Sequence, residues 1–396
     1  MPEISRRASN ITPSGKDGWE VYFAALSRVQ KGEDIILLGA GDHDFDTPQE
    51  TVEAAVRLVR AGHHHYTQLS GLPALRAAMA KVTQLSTGAP ATAENAIATI
   101  GGQAALFAAA HATLDAGDHA IVVGPYYATY PGVFRAQNVG FTVVEAHAAD
   151  GFQPHADEIA KAVRPNTKAI LINSPNNPTG AVYSRATLQG IADLCIARDL
   201  WLISDEVYWT LTGETPHISP RGLPGMAERT LVVNSLSKSH GMTGWRIGWL
   251  AGPKDLIATL NSLNLVVTYG LPDFVSRAAI EALENRWGVD DIAGIYARRR
   301  AIAREALEGQ NAIALRGSEG GMYAMIDVSE ISADGERFAW DFLDAEKVCI
   351  MPGESFGEAA AGHVRVSLCA SDDQLREAFS RLRRFVSSRI ETGGVS

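Results

Sequence analysis

SLSKSHGMTGWR, residues 235–246, is the stretch on which the reading of this chain turns. It continues from the β-branched run TLVVNS (230–235), which reads as a buried strand, so Lys238 stands just beyond a strand end. Two hydroxyls, Ser235 and Ser237, precede the lysine, and Arg246 follows it beyond glycines that let the backbone turn sharply. Hydroxyls and a guanidinium together make a phosphate cradle. A lysine in a partly apolar pocket beside another cation has a lowered pKa, and its amine can attack a carbonyl to form a Schiff base. Alone, the segment reads equally as a surface lysine beside an arginine, because short motifs recur by chance.

Outward from this stretch the chain alternates strands and helices. AIVVG (120–124), FTVVE (141–145), AILIN (169–173), WLISD (201–205) and RIGWLAG (246–252) read as buried strands, and 103–115, 155–163 and 185–198 as amphipathic helices between them. Alternation over 47–270 predicts a mostly parallel sheet between helices. Beyond LPDF (271–274) the pattern becomes one long helix over 274–309, whose run Arg298, Arg299, Arg300 reads as a solvated face. Strand-like YAMIDV (323–328), a helix near 336–346, strand-like HVRVSL (363–368) and a last helix from 372 follow. The expectation is an α/β protein with a large domain over 47–272 and a smaller α+β domain formed by 1–46 and 273–396.

The 396 residues carry 46% hydrophobic and 20% charged side chains, enough apolar surface for substantial cores. A net charge of −10 with no compensating basic run argues against a nucleic-acid partner. No apolar run reaches the ~18 residues a membrane span needs, and no leader segment is evident, so a cytoplasmic protein is expected. Cys195, Cys349 and Cys369 show no metal-ligand spacing and read as reduced thiols. The run His63, His64, His65 is a poor metal site because adjacent residues do not share a helix face, so no metal is expected.

Four further segments suit the same chemistry. In IGGQAAL (100–106) a glycine pair opens a helix, and an anion could rest on Gly102, Gln103 and Ala104 at its N-terminus. In SDEVY (204–208) Asp205 ends a strand, where open α/β sheets place ligand contacts; the plainer reading makes it a helix N-cap with Glu206 exposed. SPNNPTG (174–180) reads as a turn, and PYYATYP (125–131) supplies aromatic rings.

In this order, these segments resemble the class I/II aminotransferases, the aspartate-aminotransferase-like enzymes of fold type I that depend on pyridoxal 5'-phosphate (PLP). The resemblance implies that Lys238 bonds the cofactor and that Ser235, Ser237 and Arg246 hold its phosphate. It also implies that Asp205 partners the pyridine nitrogen, Asn177 and Tyr208 the phenolic oxygen, and that Tyr127 stacks on the ring. Arg365 in HVRVSL matches the arginine that grips the substrate carboxylate, a task suited to a planar guanidinium. LGAGDHDFDTP (38–48) matches the loop that closes over substrate, with Gly41 offering its amide and His43 standing where proline is common. HYTQLSGLPALRAA (65–78) resembles the segment whose tyrosine, here Tyr66, reaches the neighbouring subunit's phosphate, which implies a homodimer.

The implied activity moves an amino group from an α-amino acid to a 2-oxo acid, pyruvate or 2-oxoglutarate; a lyase or synthase of the same fold would share the cofactor residues. Gln103 stands where some bacterial members carry a lysine for acidic substrates. Together with GWEVYFAALSRVQKGEDIILL (18–38) and YGLPDFVSRAA (269–279), this resembles arginine:pyruvate aminotransferases more than acid-specific ones.

Overall fold

The computed structural model describes residues 2–11 and 19–391, so Met1, 12–18, including the Gly18 that opens one of the quoted segments, and 392–396 lie outside the described residues. Its strands are β1 (Ile36–Leu37), β2 (Ala96–Ile100), β3 (His119–Gly124), β4 (Gly140–Glu145), β5 (Thr167–Asn173), β6 (Trp201–Asp205), β7 (Thr230–Ser235), β8 (Ile247–Ala251), β9 (Ala314–Arg316), β10 (Tyr323–Asp327), β11 (Val348–Cys349), β12 (Met351–Pro352) and β13 (His363–Ser367).

Seven of these form one sheet in the order β2-β8-β7-β6-β5-β3-β4, and β9, β10, β12 and β13 form a second, antiparallel one. In the large sheet β7, β6, β5, β3 and β4 run parallel, while β8 pairs antiparallel with both β7 and β2. The central strands are buried on both faces, as their unbroken Val, Ile and Leu runs require. Ile97, Val122, Leu171 and Ile203 point into one apolar layer with helix Gly101–Thr113, and Ile121, Ile170 and Leu202 into another with helix Arg185–Arg198. A mostly parallel sheet between helices is therefore present, beside a smaller antiparallel sheet with its own helices.

A parallel pairing of β1 with β11 joins the N-terminal segment to the smaller sheet's layer, and Val21, Ala25, Ile36 and Leu38 share a core with Phe338, Phe342 and Phe385. The long helix expected over 274–309 is in fact two, Asp273–Asn285 and Val289–Leu307. Arg286 and Gly288 adopt left-handed backbone conformations between them, and a Cβ on Gly288 would come within 2.6 Å of Pro48. Asp273–Asn285 packs against helices Gln49–Arg60 and Pro73–Thr87, in the layer that covers β2 and β8.

The solvated face expected of Arg298 to Arg300 is also corrected. Only Arg298 is exposed. Arg299 and Arg300 are 4% and 3% exposed: Arg299 forks onto both Asp44 oxygens at 2.7 and 2.8 Å, and Arg300 donates to the carbonyls of Leu211, Thr212 and Gly321. A guanidinium with five fixed donors can be buried where its hydrogens all meet oxygen, which the linear charge pattern does not reveal.

Candidate active site

The C-terminal ends of β5, β6 and β7 present Asn173, Asp205 and Ser235 side by side, since Asn173 is in register with Asp205 in the parallel ladder. Above them lies a cavity of about 210 Å³ lined by Gly41, Gly102, Gln103, Tyr127, Asn177, Asp205, Tyr208, Ser235, Ser237, Lys238, Arg246 and Arg365. Twelve of the fourteen residues singled out from the sequence thus share one wall-to-wall space. Ala104 lies one residue deeper in helix Gly101–Thr113, outside that lining. Tyr66 stands 86% exposed on the surface, edge-on to Tyr269 at 5.1 Å.

Lys238 rides on the four-residue helix Leu236–Ser239 that caps β7. Burial lowers its pKa, and the nearby cations Arg246 and Arg365 lower it further. Its Nζ donates to the carbonyl of Gly41. Gly41 must be glycine, because a Cβ would lie 1.9 Å from the Tyr323 hydroxyl oxygen.

Asp205 is buried, and desolvation raises its pKa to about 6 against the lowering pull of its hydrogen bonds. The Tyr130 hydroxyl donates to one oxygen at 2.7 Å and the Val207 amide to the other at 3.3 Å. The plainer reading, an N-cap beside an exposed Glu206, fails: no helix starts there, and Glu206 is fully buried, accepting from Ser204 at 2.8 Å and Ser219 at 2.7 Å with His217 at 3.1 Å. Tyr208 is buried edge-on to Tyr323, and burial holds both hydroxyls well above the ordinary phenol range, Tyr323 at about 12.

Arg365, 2% exposed, lies 4.3 Å from the Tyr323 ring centre and 4.6 Å from that of Phe356. It donates to Asn177 Oδ1 at 3.0 Å and to the Gly39 carbonyl, while its Nε finds no partner. Among the described residues no carboxylate pairs with it, so a buried cation waits for an anion from outside the chain. Arg246 Nη1 donates to the Thr243 carbonyl at 2.7 Å, and its Nη2 lies 2.5 Å from where Gly101 would carry a Cβ.

These residues fit PLP. A desolvated carboxylate with spare acceptor capacity suits a protonated ring nitrogen; two hydroxyls, a guanidinium and a helix N-terminus suit a phosphate; and a lysine with a lowered pKa suits an aldehyde.

Tyr130, Tyr323, Asn173, Trp19 and Thr243 also line the cavity without having been singled out. Tyr130 lies within the quoted PYYATYP, but only the start of helix Tyr130–Ala136 decides which of its tyrosines turns toward Asp205. Tyr323 comes into reach through the pairing of β10 with β13, a contact between distant segments that local patterning does not carry. His43, expected near the entrance, is part-buried, with Nδ1 2.8 Å from the Tyr296 hydroxyl and Nε2 3.1 Å from the Ser237 carbonyl. His63 sits 3.2 Å from Asp273, and among the described residues no three ligating side chains cluster as a metal site would need.

A lysine and a carboxylate at the C-terminal edge of the large sheet, facing a buried arginine from β13 of the smaller one, are an arrangement suited to PLP chemistry. The aminotransferase class I and II family profile matches residues 33–382, and this chain belongs to that family. It is 42% identical over 373 residues to the arginine–pyruvate transaminase of Pseudomonas aeruginosa, covering 94% of this chain and 95% of that protein. It is 40% identical over 390 residues to the aspartate/prephenate aminotransferase of Thermus thermophilus, covering 97% and 99%. Among solved structures, Thermus thermophilus aspartate aminotransferase with maleate superposes with a TM-score of 0.90 at 38% identity, covering 97% of this chain and 100% of that one. Aspartate aminotransferase from Thermotoga maritima gives 0.91 at 33% identity, covering 97% and 100%.

Proposed function

We propose that this protein is a PLP-dependent aminotransferase that passes the amino group of an α-amino acid to pyruvate or 2-oxoglutarate, with a basic donor such as arginine and pyruvate as the favoured pair. One observation carries the reading: Lys238 and Asp205 open into the same cavity as Arg365, a buried guanidinium that no carboxylate of the described chain neutralises. The donor preference rests on Gln103, a neutral wall residue, and on the Pseudomonas relative. Lys238, Arg246 and Arg365 already have tasks, which leaves no lining cation for a second substrate carboxylate.

PLP, when bound, supplies a carbonyl for amines and an electron sink for the charge that builds at the substrate Cα. Ser235, Ser237, Arg246 and the start of helix Gly101–Thr113, with Gly102, Gln103 and Ala104, would hold its phosphate. Asp205 would keep the ring nitrogen protonated, itself oriented by Tyr130; Asn177 and Tyr208 would donate to the phenolic oxygen, and Tyr127 would pack on the ring face. Arg365 takes the substrate carboxylate with two parallel N–H donors, which fixes the Cα–H direction. Gly41 leaves room beside that carboxylate and accepts from Nζ of the resting lysine. Lys238, its pKa lowered by burial, carries the proton to and from Cα as general base and acid.

Two copies are needed on this reading, with Tyr66 completing the partner's phosphate site, in the cytoplasm where the three unpaired thiols stay reduced. The division into a large domain over 47–272 and a smaller one of 1–46 and 273–396 is retained as a proposal, with helix Asp273–Asn285 packed on helices and a strand of the large one. Among the described residues no helix is long and apolar enough to cross a membrane.

Borohydride reduction of cofactor-saturated protein, followed by peptide mapping, should find a pyridoxyl group on Lys238. A panel of amino donors against both oxo acids should then yield a 2-oxo acid from the donor only when an acceptor is present. An unmodified Lys238 peptide, or ammonia released from a single amino acid without acceptor, overturns the aminotransferase reading.

A further inference from the structure

The loop at residues 41–48 meets the lysine-bearing turn at three points. The Gly41 carbonyl accepts from Lys238 Nζ, His43 Nε2 lies 3.1 Å from the Ser237 carbonyl, and Thr47 Oγ1 donates to the Gly241 carbonyl at 2.6 Å. The same loop is held from the other side by helix Val289–Leu307. There the Tyr296 hydroxyl is 2.8 Å from His43 Nδ1, and Arg299, one turn on, forks onto Asp44.

We propose that His43 is a positioning residue for Lys238: fixed as the neutral Nε2–H tautomer between Tyr296 and the Ser237 carbonyl, it sets the turn from which the lysine amine reaches into the site. This rests on the aminotransferase reading of Lys238.

For a neutral ring the tautomer follows from the two hydrogen-bond partners. A carbonyl oxygen can only accept, so the hydrogen is on Nε2; a neutral imidazole has one N–H, so Nδ1 is bare and the Tyr296 hydroxyl turns its one hydrogen to it at 2.8 Å rather than to Cys369 Sγ at 3.5 Å. Burial, and the Lys238 charge after it, lowers the ring's pKa to about 4, so the neutral form holds across the physiological range. The contact also meets a need of the turn. Helix Leu236–Ser239 is only four residues long, so the Ser237 carbonyl has no following turn to bond it, and His43 supplies the missing donor. A proline at 43 could offer neither the donor nor the acceptor. Lys238 is thus held at its backbone through His43 and at its amine through Gly41, two residues apart in one loop. A displacement of ~1 Å at a reacting group can cost up to ~100-fold in rate, and the partial support left by Gly41 and Thr47 sets the expectation lower.

The test uses the cofactor-saturated full chain. Nitrogen-15 spectra of histidine-labelled protein at neutral pH, with the His43 signals identified by their absence in His43→Gln, should show a hydrogen on Nε2 and a bare Nδ1. A ring protonated at Nδ1, or at both nitrogens, overturns the proposal. In kinetics, His43→Ala should lower kcat about tenfold with KM for the donor within about twofold, and shift the midpoint of the visible-absorbance pH titration. His43→Gln, whose amide nitrogen donates and whose oxygen accepts, should recover kcat to within about threefold and restore the midpoint. If His43→Ala does not fold, Tyr296→Phe, which removes the donor to Nδ1 together with the longer contact to Cys369 Sγ, should lower kcat about threefold with the same midpoint shift. Wild-type kcat and midpoint in the alanine and phenylalanine variants, or a glutamine variant as impaired as alanine, overturns it. The nitrogen spectra judge the hydrogen-bond assignment independently of turnover. A wild-type protein without transaminase activity therefore removes the reading of the reaction and leaves the tautomer to be decided on its own.

Discussion

At the scale of single residues, Asp205 and Arg365 are each buried against their own electrostatic interest. With a carboxyl pKa near about 6 in the folded chain and ~3.9 when unfolded, Asp205 stays protonated in the native state where the unfolded state has already lost its proton. Its contribution to stability therefore falls as pH rises from about 4 through about 6, by roughly 2–3 kcal/mol in the cofactor-free protein. Asp205→Asn should raise the melting temperature of cofactor-free protein at pH 7 and leave it unchanged at pH 4, measured by scanning calorimetry. The same variant should slow turnover of the loaded enzyme by at least about 100-fold. Arg365→Lys keeps the charge and loses the planar fork, so KM for every donor should rise at least about tenfold while the cofactor remains bound. The sequence pointed to both as cavity residues, Asp205 by its strand end and Arg365 by the resemblance of HVRVSL. Tyr130 and His43 were not legible as partners of Asp205 and Ser237, because their value comes from long-range contacts.

At the scale of elements, the site depends on how closely β8 approaches the start of helix Gly101–Thr113. A Cβ on Gly248 would lie 2.5 Å from the Gly101 carbonyl carbon, 2.7 Å from the Gly102 nitrogen and 2.8 Å from the Asn234 oxygen, all of them backbone. Since backbone cannot swing aside as a side chain does, Gly248→Ala should cost about 3 kcal/mol in urea unfolding and weaken PLP binding at least about tenfold by moving the phosphate end of the cavity. Elements with a clean period were readable to the residue: Trp201–Asp205, Thr230–Ser235 and Arg185–Arg198 lie where the sequence places them. The break at 286–288 was hidden because helical periodicity continues on both sides of it, and the left-handed Arg286 leaves no compositional mark. Arg299 and Arg300 were misread for a related reason: a charged run tells nothing of the carbonyls and the carboxylate that fold back onto it.

At the scale of the whole molecule, a corner of exposed apolar surface gathers Tyr66, Val266, Val267 and Tyr269, at 86%, 78%, 64% and 54% exposure, beside Ile100 at the start of helix Gly101–Thr113. Asn264 ties this corner together by donating to the carbonyls of Leu69 and Ala98. A second copy that covers it would bring Tyr66 to the neighbouring site. Val266→Glu combined with Val267→Glu should therefore shift sedimentation from dimer to monomer and abolish turnover, and Tyr66→Phe should leave the dimer intact while weakening PLP binding several-fold.

The short parallel ladder between β1 and β11 has a temporal side. On the ribosome, Ile36 and Leu37 emerge early, yet Val348 and Cys349, against which they align, are made more than 300 residues later. At ~5–20 residues per second that delay is roughly a quarter of a minute to a minute. Throughout it Ile36 and Leu37 lack the strand they align with, so this ladder is among the last contacts open to a nascent chain, after the seven-stranded sheet is already built.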